Sequence, residues 1–228
     1  MVRAEHVTFE SARGPASGYL ARPDGERAAG GGPAVVVVQE WWGLVPHIED
    51  VTRRFADQGY MALAPDLYHG SKTVDAEEAH HLMEGLDWAR AAAELAGAVT
   101  HLRAVEGATS VGIVGYCMGG ALAMIAAASA EVDAYAAYYG FPPEGAADVD
   151  AITAPGLIVF GEHEDFFSVP DAQAFAERQR AAGRDADVVV YPNAGHAFFN
   201  DARPEAYSAD AATAAWQRTL ALFAKHLS

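Results

Sequence analysis

The chain predicts an α/β domain: a mostly parallel central sheet with helices on both faces and a short antiparallel hairpin at the N-terminus. Three observations carry this. Strand-like and helical patterns alternate along the chain, the signature of βαβ connections. The run AVVVVQE at 34–40 opens with a continuous apolar stretch of four β-branched valines, as in a strand buried on both faces of a parallel sheet. At 228 residues, with no linker or repeat dividing it, the chain is long enough to bury a core as one unit, so a single domain over 1–228 is expected.

In order, Glu5–Phe9 and Ser17–Ala21 read as the hairpin, and RAAGGGP at 27–33 as a flexible turn. After the valine strand, Ile48, Val51 and Phe55 fall on one face of a helix over 46–58, which Gly59 stops. YMALAPDLY at 60–68 is the next strand and its exit loop. Trp88, Ala92, Leu95, Val99 and Leu102 recur at steps of four and three, predicting a helix over 86–106 with one inward stripe. A strand over 110–114, a helix from Met118, strands over 134–139 and 156–160, a helix over 171–182 and a strand over 187–191 follow. The last helix, over 205–226, offers Tyr207, Trp216, Leu220 and Phe223 for packing.

Composition excludes several classes. With 31 acidic and 15 basic side chains the formal charge is -16, a field that repels phosphate backbones and anionic headgroups. Nucleic acid and membrane surfaces are therefore not expected partners. The one cysteine forms no internal disulfide, MVRAEHVTFE has no apolar signal region, and no apolar run approaches the ~18 residues of a membrane span. These features predict a cytoplasmic protein, a monomer or small homo-oligomer.

That cysteine stands in GYCMGG at 115–120, between a strand and a helix. Glycines two residues either side of a nucleophile at such a junction form a nucleophile elbow, where small flanking residues relieve the crowding of a strained turn. Ligands of parallel sheets bind beyond the carboxyl ends of the strands, where this turn would lie. A nucleophile elbow needs a base and an acid that orients it, in the chain order nucleophile, acid, histidine. GEHEDFFSVP at 161–170 and PNAGHAFFND at 192–201 supply both, each after a strand. The expected triad is Cys117, Asp165 and His196, with Asp165 preferred to Glu162 and Glu164 because a short carboxylate before an apolar pair and Val-Pro suits a turn leaving the strand. Glu164 is the reserve. A zinc site has poor support from one cysteine with no C-x-x-C and no H-E-x-x-H, and no metal or organic cofactor is expected.

QEWWG at 39–43, APDLYHG at 64–70, GYCMGG and AGHAFF at 194–199 resemble, in the same order, the motifs of the dienelactone hydrolase (carboxymethylenebutenolidase) family of α/β-hydrolases. The resemblance spans about residues 35 to 200 and implies the α/β-hydrolase fold. It also implies a cysteine hydrolase that opens an ester or lactone through an acyl-thioester, as in the conversion of carboxymethylenebutenolide to maleylacetate. In the family the glutamate matching Glu40 contacts the resting thiol and helps deprotonate it once substrate is bound. The oxyanion hole would be the backbone N–H of Met118, which opens the helix after the nucleophile, and, carried over from the family, that of Trp41. Trp42, Tyr68, Tyr139, Phe199 and Arg203 are candidates for substrate contact, though for Trp42 simple packing is the first reading.

The sequence departs from the family at the arginines that bind a substrate carboxylate. Asn200 stands where one is found and Gly70 where another is, leaving Arg203 and Lys72 as nearby cations. An uncharged ester or lactone is thus the alternative substrate, and a non-catalytic redox-sensing or binding protein using Cys117 the alternative of another class.

Overall fold

A computed structural model describes residues 2–24 and 31–227. The turn expected at 27–33 falls largely outside them. Strands β1 (Arg3–Ser11) and β2 (Gly14–Arg22) form the antiparallel hairpin, and β2 pairs antiparallel with β4 (Met61–Pro65). The remaining pairs, among β3 (Pro33–Val38), β4, β5 (Ser110–Tyr116), β6 (Ala134–Tyr138), β7 (Gly156–His163) and β8 (Ala186–Gly195), are parallel. The eight strands run in the order β1-β2-β4-β3-β5-β6-β7-β8.

β3 and β5 lie at the centre, and Val35 to Val38 are fully buried there. Burying each such side chain contributes about 1.5–3 kcal/mol, so an uninterrupted valine run is stable only in a strand covered on both faces.

The helices are α1 (Pro46–Asp57), α2 (Ala76–Glu84), α3 (Trp88–Ala104), α4 (Met118–Ser129), α5 (Val169–Ala181) and α6 (Ala209–His226), and all but α2, which buries only Ala79, pack on the sheet. α1 begins on a proline and buries Ile48, Val51 and Phe55. Asp75, Asp87 and Ser168 cap α2, α3 and α5 by accepting backbone N–H groups of the first turn. α4 is apolar on every side because the sheet and its neighbours enclose it, and Met118 through Ala127 are buried.

Several boundaries differ from those expected of the sequence. β7 and β8 run to His163 and Gly195, beyond the expected ends at 160 and 191, because they keep pairing with each other across a bulge at Gly161/His163. α6 starts at Ala209, leaving Tyr207 outside the helix and partly exposed. No helix among the described residues is long and apolar enough to cross a membrane.

Candidate active site

The site forms beyond the carboxyl ends of β3, β5, β7 and β8. β5 ends at Tyr116 and α4 starts at Met118, so Cys117 alone makes the turn, at φ 54° and ψ -120°. The flanking glycines are required by close approach: a Cβ at Gly115 would lie 1.9 Å from the Gly119 carbonyl oxygen, and one at Gly119 2.4 Å from that of Gln39. The end of β3 is thereby held against the start of α4.

Cys117 is half-buried, and burial pushes its thiol well above the ordinary value, with the negative charges of Glu40 and Glu164 adding to the effect. The Met118 backbone N–H opposes this by favouring the thiolate. The resting thiol is therefore neutral at pH 7.

His196 follows β8. Its Nδ1 lies 2.9 and 3.0 Å from the two carboxylate oxygens of Glu164. The Glu164 side chain is 1% exposed, and its Oε1 also accepts the backbone N–H groups of Phe166 and Phe167 at 2.9 and 3.3 Å. The carboxylate that orients His196 is thus Glu164, not Asp165 as expected from the sequence. The reason is the extra length of β7. With the strand continuing to His163, Glu164 is the first residue to turn inward, and Asp165 is displaced to the exposed side of the loop. Glu162 is exposed and accepts the Asn193 N–H at 2.9 Å.

Glu40, at the end of β3, is buried, and both of its oxygens are taken by donors other than the thiol. Tyr139 Oη donates to Oε1 at 3.2 Å and Asn200 Nδ2 to Oε2 at 2.5 Å. Burial raises its pKa, while the charge of His47 and these two hydrogen bonds pull the other way. Asn200 therefore fills the arginine's place in the sequence with a neutral donor that holds Glu40. His47, which the sequence reading passed over, is buried with Nδ1 3.1 Å from Asp201 Oδ1, and Arg54 also pairs with Asp201. Nothing in its local pattern marks it, because its significance comes from a neighbour 154 residues away.

Cys117 and His196 meet through shared neighbours rather than a direct hydrogen bond among the described residues. The Tyr139 ring stands edge-on to His196 at 5.0 Å, and Tyr139 holds Glu40, whose charge reaches Cys117. Replacing that charge is expected to speed alkylation of the resting thiol. Glu40→Gln should react with iodoacetamide at neutral pH about 3–10-fold faster than the wild type. An equal or slower rate would show that Glu40 does not hold the thiol in its neutral form.

Four of the expected substrate contacts, Tyr139, Phe199, Tyr68 and Trp42, are buried. Tyr139 and Phe199 are buried, Phe199 stacked on Tyr116 at 5.1 Å. Tyr68 is buried with its hydroxyl 3.4 Å from Met118 Sδ. Trp42 is buried under Arg203, whose guanidinium stands 4.2 Å above the ring while pairing with Glu205 at 3.0 Å. Trp41 is less buried and meets Trp42 edge-on at 5.0 Å. Lys72 lines a separate cleft with Glu49 and Asp66. Among the described residues no cluster of three His, Cys, Asp or Glu side chains could hold a metal ion.

The sequence profile of the dienelactone hydrolase family matches residues 16–227. The chain belongs to the dienelactone hydrolase family. A protein of Yersinia pestis named "Putative carboxymethylenebutenolidase" is 34% identical over 91% of this chain and 83% of its own. The crystal structure of a "Putative Dienelactone Hydrolase" from Klebsiella pneumoniae superposes with a TM-score of 0.87 at 30% identity, covering 99% of this chain and 100% of that one. A dienelactone hydrolase-like promiscuous phosphotriesterase from metagenomic libraries gives 0.88 at 26% identity, over 100% and 99%. As a member of this family the protein is a hydrolase of ester or lactone bonds with an α/β-hydrolase-like fold.

Proposed function

We propose that the protein is a cytoplasmic cysteine hydrolase of small esters or lactones, working through Cys117, His196 and Glu164. The observation that carries the reading is the part-buried Glu164–His196 pair, whose carboxylate charge reaches a cysteine on a strand-to-helix turn with φ 54°. The reaction is of the type that opens carboxymethylenebutenolide to maleylacetate. Substrate binding displaces Glu40 from its present donors, and Glu40 takes the Cys117 proton. The thiolate then attacks the carbonyl carbon, forming the C–S bond and placing negative charge on the carbonyl oxygen. The backbone N–H groups of Met118 and Trp41 stabilise that oxyanion. Collapse breaks the ester C–O bond and expels the alkoxide or enolate, which takes from Glu40 the proton that came from the thiol, leaving an acyl-thioester on Cys117. His196, oriented by Glu164, removes a proton from water; the hydroxide adds to the thioester, and the C–S bond breaks to release the carboxylic acid and the Cys117 thiolate, which takes the proton back from His196.

Two alternatives bear on this reading. A redox-sensing thiol needs low pKa and exposure, whereas Cys117 is held neutral and half-buried, which disfavours a sensor. An uncharged substrate is favoured by Asn200, which offers no positive charge and is already bonded to Glu40. Because Cys117 is the only cysteine, chemical modification tests the proposal without mutagenesis. Hydrolysis of p-nitrophenyl acetate should fall in proportion to the iodoacetamide incorporated and vanish at one label per chain. Activity surviving full labelling would contradict it.

A further inference from the structure

A cavity of about 670 Å³ opens against the start of α4, the helix that follows Cys117, within the ~300–1,000 Å³ range of small-ligand sites. Met118 and Ala121, at the start of α4, form the wall next to Cys117. Phe166 and Phe167 form another, with ring centroids 4.6 and 5.9 Å from that of His196. The far side is built by Phe141 and its two following prolines, in the loop after β6, and by Trp88 at the start of α3.

Two features of this cavity point to its occupant. Phe166 is 70% exposed although it lies against His196, so a large apolar ring stands uncovered at the reacting centre. Trp88 and Phe141 are also only partly buried, and with Phe166 they leave apolar aromatic surface for a ligand to cover. The charges on the walls are the second feature. Arg178 is the one cation among the described lining residues, and it pairs with Asp150 at 3.1 and 3.2 Å. Glu144 and Asp171 place two carboxylates on the same cavity, within a chain of formal charge -16. Arg203 and Lys72 do not line it, the one stacked on Trp42 and the other in a separate cleft. A substrate carboxylate entering here would lose water and meet no free cation, while an apolar ring would lose little and gain contact.

We infer that this cavity binds the apolar, aryl-bearing part of an uncharged ester or lactone, and that the protein discriminates against carboxylate-bearing substrates. The inference rests on the hydrolase reading above, since it concerns the same site. Trp88 and Phe166 supply the affinity, and Glu144 with Asp171 the rejection of anions.

The test compares three p-nitrophenyl esters on the intact protein: the acetate, the phenylpropionate, and the phenylpropionate carrying a para-carboxylate on its ring. kcat/KM should be about tenfold higher for the phenylpropionate than for the acetate, and about 30-fold or more higher than for its carboxylated analogue. Trp88→Ala should lower the phenylpropionate-to-acetate ratio by about tenfold. Glu144→Lys, a change at an exposed position, should narrow the neutral-to-anionic gap several-fold. Equal rates on the neutral and carboxylated esters, or a ratio unmoved by Trp88→Ala, would overturn the assignment. Turnover of the acetate alone would leave the hydrolase reading standing and remove the aryl site. No Cys117-dependent turnover of any ester would remove both.

Discussion

Cys117→Ala is expected to lower kcat/KM for p-nitrophenyl acetate by about 10³-fold or more, with the thermal midpoint within a few degrees of the wild type. The loss is large because the proposed reaction has no second nucleophile. His196 and Glu164 prepare water for a thioester, and without Cys117 there is no thioester to cleave. The fold should tolerate the change. Alanine has the same Cβ as cysteine at φ 54°, so the strain of the turn is unaltered, and the closely packed glycines at 115 and 119 are untouched. Residual turnover above about one-tenth of wild type, with the fold intact, would mean that the reaction does not pass through the sulfur.

Glu164→Gln is expected to reduce kcat by about 10²–10⁴-fold, whereas Asp165→Asn should leave it within about twofold. The glutamine keeps the volume of Glu164, and its carbonyl oxygen can still accept the Phe166 and Phe167 N–H groups. What it loses is the negative charge beside His196 Nδ1, which fixes the tautomer and stabilises the imidazolium formed when the ring takes a proton. Asp165 is exposed and points its charge into solvent, where a neutral substitute changes little. The paired measurement decides between adjacent carboxylates. A collapse in Asp165→Asn with Glu164→Gln unaffected would reverse the assignment.

The fold was legible wherever burial leaves a local imprint. The valine run of β3 and the stripe of Ile48, Val51 and Phe55 on α1 can be read because each residue's environment is set by the element's own period. The ends of β7 and β8 were less so. Their last residues are held by each other, and GEHED and PNAG look like loops until that partner is known. The error at the acid follows from this: a three-residue change in where β7 ends decides which carboxylate faces His196. The glycine spacing around Cys117 and the chain order of the loops after it pointed to Cys117, His196 and the acid-bearing loop, but the partners of Glu40 come from residues 99 and 160 positions away. The cavity is less local still. Trp88 reads as the first residue of a core stripe and Phe141 as part of a loop, and only the folded chain brings both to the mouth of the elbow.

The thiol's environment joins these parts. Burial and the charge of Glu40 keep Cys117 protonated at rest, so the nucleophile is spared oxidation while the site is empty. In the proposed reaction, activation requires Glu40 to leave Tyr139 and Asn200.

The most direct test of the central claim is the intact mass of the protein quenched in acid within one turnover of p-nitrophenyl phenylpropionate, followed by peptide mapping. A mass increase equal to one acyl group is expected, confined to the peptide containing Cys117, persisting longer in His196→Ala and absent from Cys117→Ala. Turnover with no acyl group on that peptide in either the wild type or His196→Ala would contradict it.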